Sequence, residues 1–177
     1  MTQKRPQSNE YAAYYEKYID VVPDGEPVHI LENQLADWQC LWKPLGEKAG
    51  DFRYAPEKWS IKELLGHVTD AERIFSYRLL RIARGDKTPL PGFEQDDYIK
   101  QARFSARRLA DLTEEFEAVR RATLVLTRSL EEQDLERSGF ASNSPVSARA
   151  LVYIIAGHDR HHRRILEEKY LPNLAAL

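Results

Sequence analysis

Four stretches of this chain repeat their apolar residues every three or four positions, and that period restricts the fold more than any other feature. The first runs from Pro27 to Lys43, where Val28, Leu31, Leu35, Trp38 and Trp42 lie on one stripe and Pro44 closes it. The second opens with Ser60-Ile61-Lys62-Glu63, an S-x-x-E capping box, carries Leu64, Val68, Ala71, Phe75, Leu79 and Ile82, and stops at Gly85. The third spans about Ser105 to Leu130, with Leu109, Leu112, Phe116, Val119, Thr123 and Leu126 in step. The fourth begins near Ser147, after Pro145, sets Leu151, Ile154, Ile155, His158, His162 and Ile165 on its stripe, and ends by Pro172.

No period-two run of β-branched residues between turn signals competes with these segments, so the expected class is all-α. Four amphipathic helices bury their stripes against one another most simply as a four-helix bundle. The bundle domain is expected over 27–172. Residues 1–26 form an N-terminal tail, partly helical, with the first ten or so loose. The links 46–59 and 85–98 are long, and loops beyond about 12 residues in a compact domain usually cover something or move. The second, with Pro89, Pro91 and Gly92, is the expected pocket wall.

Composition narrows the function. With 177 residues, 42% hydrophobic and 31% charged, the chain is long enough for one sizeable core. A net charge of −2 and a pI near 6.2 supply no basic field, so nucleic acid is not an expected partner. Cys40 is the single cysteine, which excludes an intrachain disulfide and a thiolate zinc cluster and fits a reducing compartment. Met1 to Glu10 holds no apolar signal segment, and no stretch reaches the roughly 20 apolar residues of a membrane span. The expected location is the cytoplasm, with no membrane partner.

Four of the five histidines carry the chemistry. His158 and His162 are four residues apart and share a helix face one turn above each other, a spacing that grips a single ion. His67, with Leu64 and Ala71 at helical spacing, faces the bundle side of the second helix. Together they make a three-imidazole face, which leaves positions on an ion open for water or substrate. Spacing favours His162 but leaves His161, three residues from His158, as the other option. Arg160, Arg163 and Arg164 disfavour protonated imidazole and so favour the neutral, metal-binding form. A hydrogen-bonded core histidine is the alternative reading for each ring alone.

Other architectures fit less well. The Glu-x-x-His pair on two helices that a di-iron carboxylate bundle needs is not present. His158-Asp159-Arg160-His161-His162 is a zinc-protease pattern with aspartate for glutamate, one methylene too short to reach an ion's water well. Asp70 and Glu63 flank His67 and could orient its ring. As catalytic groups Asp70, Asp159 and His161 are weak candidates.

The stretch Tyr54-Ala55-Pro56-Glu57-Lys58-Trp59-Ser60 through Gly66-His67, with Arg84-Gly85-Asp86 through Gly92-Phe93 and Gly157-His158-Asp159-Arg160-His161-His162, resembles the DinB/YfiT-like superfamily from about Val28 to Leu171. The resemblance implies a four-helix bundle that binds one divalent ion, nickel or zinc first and iron, manganese or cobalt as other options, through His67, His158 and His162. It implies a homodimer, for which Val125, Val152 and Tyr153 are the leftover apolar positions. Members are commonly described as metal-dependent hydrolases, and better understood relatives transfer low-molecular-weight thiols.

Three functions therefore stand as expectations. The first is transfer of a small thiol to an electrophile, with Arg73, Arg78 and Arg81 available to hold the thiol's carboxylates. The second is hydrolysis of a small-molecule amide or ester. The third is a non-catalytic module whose ion fastens two helices. Trp38, Trp42 and Trp59 are expected in the core.

Overall fold

The computed structural model describes residues 4–174. A single helical turn, α1 (Glu16–Ile19), precedes the first long helix, α2 (Pro27–Trp42). The other long helices are α3 (Ile61–Ala83), α5 (Leu109–Arg128) and α7 (Ala148–Ile165), with α4 (Gln95–Ala102) and α6 (Glu132–Leu135) in the links. A short hairpin, β1 (Ser138–Ala141) and β2 (Ser144–Ser147), leads into α7, which continues through a π turn into α8 (Leu171–Leu174). The four long helices are the four periodic segments, and the class is the all-α four-helix bundle.

Local signals set the helix ends. The Ser60 hydroxyl accepts from the Glu63 amide at 3.2 Å while the Glu63 carboxylate accepts from the Ser60 amide at 2.7 Å. At the other end of α3, Gly85 takes φ +81°, and the amides of Gly85 and Asp86 donate to the carbonyls of Ile82 and Arg81. That closure satisfies carbonyls the helix leaves free, and only glycine takes the left-handed position without cost. Helix α5 starts four residues later than its period suggests. Its Leu109 amide donates to the Glu47 carboxylate at 2.9 Å, so a distant loop residue caps it.

Helix α3 is central, packed on α5 and α7, while α2 closes the bundle against α5 and α7. One core cluster joins Leu79, Ile82, Leu151 and Ile154, and a second joins Trp38, Trp42, Leu64 and Phe116. Trp38 and Trp42 stack at 4.8 Å between ring centroids. Burying side chains of this size contributes roughly 1.5–3 kcal/mol each, before entropy is charged against it.

The structure departs from expectation in further places. A two-stranded antiparallel hairpin exists, with Gly139 opposite Val146. Its strands are four residues long, too short for alternation to register, and its turn residues Ser142 and Asn143 hold φ of 51° and 61° without a glycine to announce it. The link after Gly85 is stitched to this hairpin, since the Leu90 amide donates to the Phe140 carbonyl and the Ser142 amide to the Leu90 carbonyl. The same link carries α4. Finally, Trp59 lies half-buried against the histidines rather than in the core.

The N-terminal segment is anchored from Arg5 onward, where a loose stretch was expected; residues 1–3 of the expected tail lie outside the described residues. Arg5 donates to the carbonyls of Ile19 and Val22, and Tyr18, Ile19 and Val22 are buried. Helix α1 lies on α7. Val152 and Tyr153 are consequently covered by the chain itself, and of the three leftover apolar positions Val125 alone stays exposed. Gly157 permits the approach: a methyl built there would overlap the Tyr18 carbonyl. Gly157→Ala should therefore detach the segment while α7 keeps its helix, alanine being preferred inside helices by about 0.5–1 kcal/mol. Limited proteolysis should cut the variant within residues 4–26 much faster than the parent; equal protection would contradict this close approach.

Candidate metal centre

The packing of α3 on α7 brings His67 to His158 and His162, residues that the chain separates by about ninety positions. One ring nitrogen from each lies within 4.8 Å of the others. His67 Nε2 is 3.1 Å from His158 Nε2. The three rings are 4%, 6% and 8% exposed, so solvent solvates none of them well. His161 projects elsewhere. Its ring is half-buried, edge-on to Tyr18 at 5.4 Å, and outside the three-nitrogen group, so the geometry sets His162 rather than His161 beside His67 and His158.

Burial is the main reason these imidazoles stay neutral. It pushes His67 from the ordinary 6.5 down to about 4, with the charge of His161 acting in the same direction. His158 and His162 are held well below the ordinary value, by burial first and then by neighbouring imidazoles, His162 and His67 acting on His158, and His67 and His161 on His162. Neutral imidazole is the ligating form. Two Nε2 atoms 3.1 Å apart can share one proton, or both can aim lone pairs at a common ion. Zinc takes imidazole nitrogen at about 2.0–2.1 Å, which at tetrahedral angles sets nitrogens about 3.3 Å apart. His67 and His158 already stand near that separation, and the His162 nitrogen lies within 4.8 Å of both, so the donor set fits a divalent ion.

A stability consequence follows for chelator-treated protein. The unfolded chain protonates His67 near pH 6.5, whereas the folded chain resists until about pH 4. The unfolded state thus binds more protons across that window. Stability is complete above pH 6.5 and falls as the pH drops toward 4, by on the order of 3 kcal/mol for this residue. Urea unfolding of parent and His67→Gln proteins from pH 7.5 to 4.5 checks the sign; a parent with constant stability over that range would refute it.

Aromatic rings enclose the centre. Trp59 lies 4.8 Å from His67 between ring centroids, and Tyr18 and Phe75 stand edge-on to His158 at 5.3 and 5.6 Å. On one side a cavity of about 580 Å³ opens, with His67 and His158 in its wall. The link after Gly85 supplies Phe93 and Glu94 to the wall, as the sequence suggested, while the hairpin turn supplies Ser142 and Asn143 and the N-terminal segment Tyr14 and Tyr15. The last two contributions were missed. Tyr11, Tyr14, Tyr15 and Tyr18 within eight residues were the available signal.

The carboxylate candidates are engaged elsewhere. Asp70 pairs with Arg73 at 3.4 Å. Asp159 is buried in a polar network, accepting from Trp38 Nε1 at 2.6 Å and from Arg120 at 2.8 Å. Arg120, fully buried, also grips Glu72 with two bonds of 2.7 and 2.8 Å and reaches the Gln34 side chain at 3.3 Å. Burial pushes the Asp159 carboxyl up, with the Arg120 guanidinium opposing it. This network fastens all four long helices. A charged residue four positions beyond Phe116 was its signal in the sequence.

The three arginines proposed for thiol carboxylates are also committed. Arg73 pairs with Glu115 at 2.7 Å, and Arg81 with Asp86 and Tyr77. Buried Arg78 donates to the Pro91 carbonyl at 2.7 Å and the Ser142 hydroxyl at 3.1 Å, pinning two cavity walls together.

A helical bundle with a buried three-imidazole face beside an open cavity is the class that fold and site define. The model of the DinB superfamily matches residues 30–166, and the chain belongs to that superfamily. Among solved structures the chain is similar to YfiT from Bacillus subtilis, described as a probable metal-dependent hydrolase with an unusual four-helix bundle topology. The TM-score is 0.72 at 14% identity, over 94% of this chain and 91% of that one, a likeness of fold. No curated protein matches the chain in sequence. Among the described residues no helix is long and apolar enough to cross a membrane.

Proposed function

We propose that this protein is a metal-dependent enzyme in which His67, His158 and His162 hold one divalent ion and a small ester or amide is hydrolysed in the adjoining cavity. The observation that supports the reading best is the placement of buried, neutral imidazoles in the wall of a cavity of about 580 Å³. Three protein nitrogens leave an ion accessible on the cavity side, whereas four would close it. A bound ion would supply Lewis-acid activation of the group that meets it. Nickel and zinc suit an all-imidazole set, with cobalt, iron or manganese as lesser fits.

The chain's own residues do the rest. Phe75, Tyr18 and Trp59 keep the histidines dry, which strengthens every electrostatic contact there. Ser142 and Asn143 offer hydroxyl and amide groups to orient a substrate. No lysine or arginine lines this cavity among the described residues, so nothing there holds the carboxylates of an anionic thiol. Hydrolysis is for that reason placed ahead of thiol transfer. Thiol transfer is the second reading, favoured because Asp70 and Asp159 are turned to other partners and a thiol acidified by an ion needs no general base.

The test is a paired assay on protein of known metal content. Ester and amide hydrolysis should vanish with chelator and return with zinc or nickel. Cation-dependent conjugation of a small thiol without any hydrolysis would move thiol transfer to first place. Indifference of both reactions to the cation would remove the enzymatic reading.

A further inference from the structure

We infer that a second, smaller cavity, apart from the histidine centre, binds a small carboxylate with an aromatic body, its acid group held by Arg78. Each of the chain's other buried lysine and arginine side chains meets at least two carboxylates. Lys62 pairs with Glu47 and Asp51 at 3.0 and 3.2 Å, Arg120 with Glu72 and Asp159, and Arg149 with Glu10, Glu132 and Glu136. Arg78 is 2% exposed and pairs with no carboxylate among the described residues. Its two bonds, to the Pro91 carbonyl and the Ser142 hydroxyl, both leave from Nη2 and reach neutral acceptors. Nε and Nη1 have no acceptor among the described residues, and the Phe75 ring, 5.9 Å away, is the other group beside the charge. A guanidinium is rarely buried without a counter-ion, because neutral partners offset only part of what it loses on leaving water.

Arg78 stands in the wall of a cavity of about 260 Å³ between α3 and the link that follows it. Ile74, Tyr77, Leu90, Phe93 and Tyr98 give the wall its apolar and aromatic surface, and no carboxylate lines it. Arg73, the other charge there, is already paired with Asp70 and Glu115. The Arg81 guanidinium lies 5.3 Å from the Tyr77 centroid, so a cation already occupies that ring. A further cation would meet only positive charge, whereas a carboxylate would take a charge-assisted hydrogen bond from Arg78 and supply the missing counter-ion. The Phe93 and Tyr98 rings, tilted together at 5.4 Å, offer the adjoining surface for an aromatic body. This cavity shares Gly92 and Phe93 with the histidine cavity but contains none of the histidines.

Calorimetry with phenylacetate, its neutral isostere phenylacetamide and inorganic phosphate tests the proposal, on metal-loaded and on chelated protein. Phenylacetate should bind both forms alike and about ten-fold more tightly than phenylacetamide. Phosphate, which brings charge without an apolar body, should bind more weakly than phenylacetate. Arg78→Gln should abolish the preference for acid over amide. Tyr98→Ala, altered at an exposed ring outside the histidine cavity, should weaken both aromatic probes and keep the preference. Circular dichroism checks that each variant keeps its helices; should Arg78→Gln lose them, the probe series on the parent and on Tyr98→Ala decides. Equal binding of acid and amide, phosphate as tight as phenylacetate, an unchanged preference in folded Arg78→Gln, indifference to Tyr98→Ala, or no binding at all would overturn the proposal. Phenylacetate binding confined to metal-loaded protein would also overturn it, by assigning the acid group to the histidine centre.

Discussion

Elemental analysis of a His158→Ala, His162→Ala variant should return no stoichiometric divalent ion, against about one per chain in the parent, with the helical circular dichroism retained. Loss of a group that merely orients a metal ligand costs about 10–100-fold in affinity, and loss of two ligands should exceed that range. The bundle should survive because the rings are neutral and already accommodated without an ion, each pushed below its ordinary protonation range by burial. A variant that keeps its ion would show that other residues hold it. A variant that unfolds would instead mean that these two imidazoles carry the packing of α3 on α7, as in the non-catalytic alternative.

The largest effect on stability is expected from Arg120→Ala. Arg120 is wholly buried between Glu72 and Asp159, and the variant leaves two carboxylates in the interior without their cation. Removing one partner of a buried ionic network costs about 3–5 kcal/mol, far more than the network's net contribution, because the remaining charges must be desolvated without compensation. The neighbouring Arg121 pairs with Glu117 on the surface, and Arg121→Ala should change stability by less than about 1 kcal/mol. Urea unfolding compares the two. A loss below about 1 kcal/mol at Arg120 would show that water reaches the network or that the carboxylates protonate freely.

Much of the fold and part of the site were legible in the residues themselves. The capping box at Ser60 and Glu63 and the glycine stop at Gly85 marked both ends of α3, because caps are contacts over three or four residues. The four-residue spacing of His158 and His162 placed both on one face of α7 for the same reason. The hairpin was not legible, since its strands are short and its turn uses Ser142 and Asn143 in positive φ. The partners of Asp159 were not legible, because its position beside His158 says nothing of Trp38 and Arg120, which reach it from helices α2 and α5. Trp59 reads in sequence as a core residue, whereas the approach of α3 to α7 puts it beside His67.

By itself the sequence determined the local matters: four helices, their ends, the faces they bury and the pair of imidazoles one turn apart. Each of these depends on groups within about four residues, where helical geometry leaves few choices. The tertiary structure decided which faces meet. It brought His67 to His158, committed Arg73, Arg78 and Arg81 to other partners, and laid a tyrosine-rich N-terminal segment along the cavity. Such contacts join residues far apart in the chain, and their energies arise only when packing excludes water from both partners at once.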